Sequence, residues 1–186
     1  MRSVVFVLSM FAYGDAMAAG PPVPFIDNGA CPFECCSYRD WTTEKTTALR
    51  ASPDPKAKII GAASSGDAVL GLTGEVVTSR PGSFRVTAEH VGADGTRYRP
   101  GDRAYVYTYL GEGVMRVWYA GSMHEEEVYF MRANPDDSPM CTDRKMCWGR
   151  QEAWPESDWW VKVRTGDGVT GWSDQPHNFG NIDACG

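Results

Sequence analysis

The sequence predicts an all-β fold of short antiparallel strands tied together by disulfides. Its 186 residues include 20 glycines and 12 prolines, which recur at short intervals with short apolar stretches between them. This punctuation is typical of many short strands. No segment keeps a helical hydrophobic period for more than about three turns. Six cysteines supply enough sulfur for several cross-links.

The first residues have the three parts of a signal peptide. Arg2 carries a positive charge, residues 3–13 (SVVFVLSMFAY) are apolar but too few to span a bilayer, and residues 16–18 (AMA) form a small-x-small site. We expect cleavage after Ala18 and a periplasmic or secreted mature protein. No later apolar run approaches the roughly 18 residues of a membrane span, so the sequence predicts no membrane insertion.

The net charge of −6 comes with lysines and arginines scattered along the chain. A protein that binds nucleic acid needs a basic face to meet the phosphate backbone. The sequence therefore argues against a nucleic-acid partner.

All the cysteines lie in the exported part, at Cys31, Cys35, Cys36, Cys141, Cys147 and Cys185. An even number in an oxidising compartment favours disulfides. Cys35 and Cys36 are poor partners for each other, because adjacent Cα atoms lie about 3.8 Å apart and a relaxed disulfide needs roughly 4.4–6.8 Å. Cys141 and Cys147 flank a short polar loop that a bond between them would close. The other cysteines would tie the N-terminal segment to itself or to Cys185.

A metal site is the alternative for the N-terminal cysteine cluster, with Cys185 as the fourth ligand. Paired C-x-x-C spacing is absent and exported thiols are usually oxidised, so we expect neither a metal nor a cofactor.

Along the chain, residues 19–44 read as a proline- and glycine-rich extended arm followed by the cysteine cluster. Strands are expected at residues 48–50, 58–62, 68–78, 84–89 and 126–132. The clearest hairpin is residues 104–120, where AYVYTYL and VMRVWYA flank a glycine-containing loop. A second hairpin spans residues 159–172, and residues 134–158 form a long connection held by a disulfide.

Several motifs appear in the order found in bacterial Src-homology-3-like domains. They are residues 49–53 (LRASP), 59–61 (IIG), 66–69 (GDAV), 160–163 (WVKV) and 168–172 (GVTGW). The chain resembles that family over roughly residues 45–72 and 158–173. It departs from the family pattern in lacking an asparagine-valine pair before Arg50 and in having Ser173 where an aliphatic residue is common.

The resemblance implies a small antiparallel barrel without a cofactor, of a kind that recognises cell-wall peptides or other proteins. Residues 45–186 would form this β domain, with an insertion at about 73–158. Two architectures stay open, namely one barrel with a large β insertion or two small barrels packed together.

The best candidate ligand platform is a tyrosine face on the first hairpin. Tyr105, Tyr107 and Tyr109 alternate along one strand and therefore share a face, and Trp118 lies across the hairpin. Tyrosine suits a half-wet surface better than a sealed interior. We predict that these four residues bind ligand.

No catalytic motif stands out in the sequence. The three histidines have no ligand spacing with one another, and the acids that follow His124 (residues 125–127) would alternate between faces as a solvated edge. We therefore predict an exported, non-catalytic binding module for peptidoglycan peptide or an exported protein. The alternatives are a cell-wall hydrolase with an unidentified carboxylate pair and a structural subunit of an exported assembly.

Overall fold

The structure, a computed structural model, describes residues 20–132, 138, 141–143 and 145–185. The expected signal peptide lies outside these residues. Every strand pairing in the described part is antiparallel, and the only helical element there is the 3-10 turn Pro176–Asn178. The predicted all-β class is confirmed. No helix among the described residues is long and apolar enough to cross a membrane.

The first sheet has eight strands in the order β15-β2-β5-β13-β14-β3-β4, and β1 also pairs with β5. Its spine is the long pairing of β5 with β13, which runs from Arg80 opposite Glu156 to Val69 opposite Thr165. The strands are β1 (Phe25–Asn28), β2 (Asp40–Thr43), β3 (Thr47–Arg50), β4 (Ile59–Ala63), β5 (Ala68–Arg80), β13 (Glu156–Thr165), β14 (Thr170–Ser173) and β15 (Phe179–Gly180).

The second sheet has five strands in the order β11-β10-β9-β6-β12. They are β6 (Gly82–Val86), β9 (Arg103–Gly111), β10 (Val114–Tyr119), β11 (Ser122–Glu127) and β12 (Gly149–Ala153), beside a small hairpin of β7 (His90–Val91) and β8 (Arg97–Tyr98). Strand β11 starts earlier than expected because Ala120 and Gly121, both at positive φ, reverse the chain directly after β10.

Each sheet has its own hydrophobic core. The first core is made of Trp41, Leu49, Ala63, Val69, Val161, Val163 and Phe179. The second includes Phe84, Tyr98, Val106, Met115, Val117, Phe130 and Trp148. In the sequence, all residues of the second core lie between the end of β5 and the start of β13. The second sheet is therefore formed by a chain segment inserted between the two spine strands of the first sheet.

The N-terminal arm connects the two sheets. Its strand β1 pairs with β5 from Phe25 opposite Thr78 to Asn28 opposite Glu75. On the side of the second sheet, the Asp27 carboxylate lies 3.0 Å from the Arg116 guanidinium. The arm is therefore held by backbone bonds on one side and by an ion pair on the other.

The cysteines form three disulfides, Cys31–Cys36, Cys35–Cys185 and Cys141–Cys147. The cysteines that the metal alternative needs are thus bonded in pairs, and Cys141 pairs with Cys147 across the short loop. The Cys35–Cys185 bond joins residues 150 positions apart and brings the C-terminal segment onto the cysteine cluster. Disulfides of this kind fit a protein that works in an oxidising, extracellular-type environment.

Candidate binding site

Tyr105 and Tyr107 lie on the outer face of the second sheet, whereas Tyr109 lies opposite the core residue Met115 and packs against the second core. The second core contains Ala104 and Val106, whose side chains point to the opposite face of the same strand. Tyr105 lies opposite Trp118 in the β9–β10 register, and both are half-buried. The expected common face is therefore wrong for Tyr109, because a β-bulge between Val106 and Tyr109 turns its side chain to the core side.

Tyr107, however, is closed off from solvent. It is 1% exposed, its ring packs against Phe25 with centroids 4.8 Å apart, and its hydroxyl donates to the Pro22 carbonyl oxygen at 3.1 Å. Burial raises the pKa of Tyr107 to about 12, so the hydroxyl stays a neutral donor. This corrects the open tyrosine platform, because the arm covers its centre.

Tyr109 is also engaged by the protein itself. Its hydroxyl donates to Glu34 Oε1 at 3.0 Å and accepts the Gly113 N–H at 3.2 Å. The tyrosine thus joins the cysteine cluster to the β9–β10 loop. Of the predicted ligand-binding residues, Tyr107 is buried, whereas Tyr105, Tyr109 and Trp118 are half-buried.

A groove of about 620 Å³ opens instead where the cysteine cluster, β13 and the C-terminal segment meet. Its wall is aromatic and proline-rich, and the Phe33 ring meets the Trp159 ring edge-on at 5.7 Å. The lining residues are Pro32, Phe33, Ser157, Asp158, Trp159, Asp174, Pro176, His177 and Ile182.

Hydrogen bonds fix the Trp159 side chain in this wall. Its indole N–H donates to the Tyr38 hydroxyl at 3.2 Å, and that hydroxyl donates in turn to the Ala30 carbonyl oxygen. Burial raises the pKa of Tyr38 to about 12, so the hydroxyl keeps its proton. With its polar atom satisfied, the indole is free to offer its apolar face to a ligand.

Two exposed carboxylates, those of Asp158 and Asp174, line the same groove. Neither makes an ion pair or a side-chain hydrogen bond with another residue in the described part of the chain. An aromatic face beside unpaired carboxylates suits an ammonium or guanidinium group, through cation–π contact and charge-assisted hydrogen bonds.

A narrower crevice of about 220 Å³ continues from this groove between the two sheets. The two cavities share Pro32, Ser157 and Trp159, while Tyr107 and Tyr109 line the far side of the crevice. Part of the predicted tyrosine face therefore contributes to a cavity wall rather than to an open platform.

No sequence pattern predicts this groove directly, because its walls are distant in the chain. Phe33, Trp159 and His177 meet only after β13 has paired and Cys35 has bonded Cys185. The one available signal was the cysteine pattern, which could bring residues 31–36 to the C-terminal segment.

A second cavity of about 800 Å³ lies beside β11. Its histidines are paired with acids: His124 Nδ1 lies 2.7 Å from Asp94 Oδ2, and His90 Nε2 lies 3.5 Å from Glu126 Oε2. The lining residues are His90, Val91, Ala93, Asp94, Val114, Arg116, Met123, His124, Glu125, Glu126 and Glu127. We call this cavity the histidine pocket.

The acids of β11 alternate as expected, but they do not all face solvent. Glu125 and Glu127 are exposed, whereas Glu126 is 4% exposed because residues 90–94 cross over it. Burial raises the pKa of Glu126 against the opposing effect of His90. The expectation of a solvated acidic edge therefore fails for Glu126.

Asp94, an exposed acid of the pocket, has a lowered pKa instead. The hydrogen bond to His124, together with those from Thr96, lowers the pKa of Asp94 to about 2. Among the described residues, the only acid, histidine and cysteine side chains grouped closely enough to hold a metal ion are Cys35, Asp183 and Cys185, and the two cysteines are bonded to each other. The histidine pocket does not have the geometry of a metal centre.

Comparisons with known protein families, with curated proteins and with solved structures find no match to this chain. The fold defines it as an all-β, disulfide-bonded protein with two sheets, an aromatic groove and a histidine pocket.

Proposed function

We propose that the protein is an exported, non-catalytic binding module whose aromatic groove holds a peptide with a cationic group. The ligand class we favour is a cell-wall peptide, as the resemblance to bacterial Src-homology-3-like domains implies. A peptidoglycan stem peptide carries a diamino acid, so it offers an ammonium group on an otherwise compact chain.

The observation that carries this proposal is the combination of chemistry in the groove. Phe33 and Trp159 give an apolar wall, and the unpaired carboxylates of Asp158 and Asp174 give the negative charge. A ligand cation that reaches both would gain contacts that the protein itself does not satisfy.

The groove is also preorganised. Cys31–Cys36 closes the loop that carries Phe33, and Cys35–Cys185 anchors the C-terminal wall. The hydrogen bond from Trp159 to Tyr38 fixes the indole. Rigid walls reduce the entropy that binding must remove, which supports a recognition role.

The direct test is a pull-down of oxidised residues 19–186 on insoluble peptidoglycan, with the supernatant assayed for released soluble fragments. We expect retention without release, and retention should weaken at least tenfold in an Asp158→Asn/Asp174→Asn variant. Glu112→Gln is the control, since it removes an exposed acid that lines neither the groove nor the crevice.

The other outcomes separate the competing functions. Release of fragments would overturn the non-catalytic proposal in favour of a hydrolase. If the protein is not retained and no fragments are released, the cell wall is not the ligand. An exported protein would then be the partner. Equal retention of both variants would show that the groove is not the binding site.

A further inference from the structure

Strand β11 is one of the two edge strands of the second sheet. Its described strand partner is β10, and the histidine pocket runs along its other side, between the strand and residues 90–94. A free edge offers unpaired backbone N–H and C=O groups to an incoming strand.

The register of the β10–β11 hairpin determines which backbone groups of β11 point toward the pocket. A two-residue turn joins Tyr119 to Ser122, which lie opposite each other. Hydrogen-bonded and non-bonded pairs alternate from such a turn, so the backbone groups of Met123, Glu125 and Glu127 point away from β10. The Trp148 indole N–H donates to the Glu127 carbonyl oxygen at 3.2 Å, as this assignment requires.

Met123 and Glu125 therefore keep outward backbone groups that no other described backbone group bonds. The six residues of β11 span about 20 Å at the usual rise of a strand. This edge is long enough for a short added strand.

The charge around this edge is acidic. Glu125, Glu127 and Asp94 are exposed and line the pocket. Arg116 is paired with Asp27 and Glu125, and Asp94 is paired with His124, whereas Glu127 makes no ion pair with another described residue. An added strand with cationic side chains would complement this lining.

The buried acid of the pocket has one oxygen that the protein leaves without a donor. Glu126 is 4% exposed and lines the pocket, and its Oε2 lies 3.5 Å from His90 Nε2. Its Oε1 is buried against Gly92 and has no hydrogen-bond partner within the geometric limits among the described residues. A buried carboxylate oxygen without a donor is costly, and a donor that entered between Gly92 and β11 would remove that cost.

We infer that the histidine pocket is a second binding site, where a lysine- or arginine-bearing segment of an exported partner protein adds as a strand to the edge of β11. The main chain of the segment bonds Met123 and Glu125, and its cationic side chains lie near Glu125, Glu127 and Asp94. Backbone bonds supply affinity and the acids supply selectivity, as in other strand-addition interfaces. The site is separate from the aromatic groove.

The probe is a labelled six-residue peptide that alternates lysine with valine, added to oxidised residues 19–186 and followed by fluorescence anisotropy. The matched peptide alternates glutamate with valine. We expect only the lysine peptide to bind, and we expect Glu125→Gln/Glu127→Gln to weaken it at least tenfold. These measurements use an Asp158→Asn/Asp174→Asn background, which removes the carboxylates of the groove, and in it Glu44→Gln, an exposed acid that follows β2, should leave the binding unchanged.

Two further measurements distinguish strand addition from simple charge attraction. N-methylation of alternate peptide nitrogens removes ladder donors, and Met123→Pro removes an outward N–H that β10 does not use. Both should abolish binding, and near-UV circular dichroism checks that the variant is folded. Undiminished binding of the methylated peptide, equal binding of the lysine and glutamate peptides, or no binding at all would overturn the inference.

Discussion

The ring of Phe25 packs on the ring of Tyr107 with centroids 4.8 Å apart and planes inclined at 59°. Phe25 belongs to a strand of the first sheet, whereas Tyr107 belongs to the outer face of the second. This contact therefore makes the arm a connection between the two sheets, and it removes the centre of the tyrosine face from solvent.

Phe25→Ala should destabilise the protein by about 1–2 kcal/mol, because it removes apolar burial and an aromatic pair. Ile26→Ala is the matched control: its side chain is 48% exposed and should change the free energy of unfolding by less than about 0.5 kcal/mol. Denaturant unfolding measures both. Equal values for the two variants would mean that the arm is not docked on Tyr107.

Tyr107→Phe should cost about 0.5–1.5 kcal/mol, because it deletes the bond to the Pro22 carbonyl while keeping the ring contact. Hydrogen exchange should reveal faster opening of β1, where the arm pairs with β5. Unchanged exchange throughout β1 would argue against this anchor.

The long-range disulfide Cys35–Cys185 and the short-range disulfide Cys141–Cys147 should contribute unequally to stability. Replacing Cys35 and Cys185 by serine should lower the free energy of unfolding by about 5 kcal/mol, because this bond restricts a long loop of the unfolded chain. Replacing Cys141 and Cys147, six positions apart, should cost about 2 kcal/mol. Unfolding of the oxidised variants in denaturant tests the order, and a larger loss from the short loop would contradict it.

The buried acid of the histidine pocket should give a measurable pH dependence. Because burial raises the pKa of Glu126 above its unfolded value, its contribution to stability is present below the unfolded pKa, about 4.5, and is lost as pH rises through the folded pKa. Glu126→Gln should therefore lose less stability than the wild type between pH 4.5 and pH 8. Denaturant midpoints at both pH values measure this, and parallel pH profiles would rule it out.

Asp94, in the same pocket, should give a pH dependence of stability with the opposite sign. Its lowered pKa of about 2 means that its contribution is present above about pH 4 and is lost as pH falls toward 2. The two acids therefore change stability in different pH ranges. Above pH 4.5 the contribution of Asp94 is constant, so it does not overlap with the pH dependence from Glu126.

Alternation along single strands could be read from the sequence, whereas contacts between distant segments could not. Strand periodicity correctly placed Tyr105 on the face opposite Ala104 and Val106, because this alternation is local, but it missed the β-bulge that turns Tyr109 to the core side. Phe25 covers Tyr107 only because β1 pairs with β5, which lies about 50 residues later in the chain.

The same distinction applies to the candidate sites. Alternation of the acids on β11 was readable, but the burial of Glu126 depends on residues 90–94 crossing the strand. The aromatic groove joins Phe33 to Trp159, and only the cysteine pattern hinted that such segments meet.

We propose that ligand binds in the aromatic groove and not on the tyrosine face. The most direct measurement is NMR titration of the indole N–H resonances of the oxidised protein with soluble peptidoglycan fragments. We predict that the Trp159 signal shifts while that of Trp118, on the outer face of the second sheet, stays in place. Shifts confined to Trp118 would contradict the groove and return binding to the surface around Tyr105.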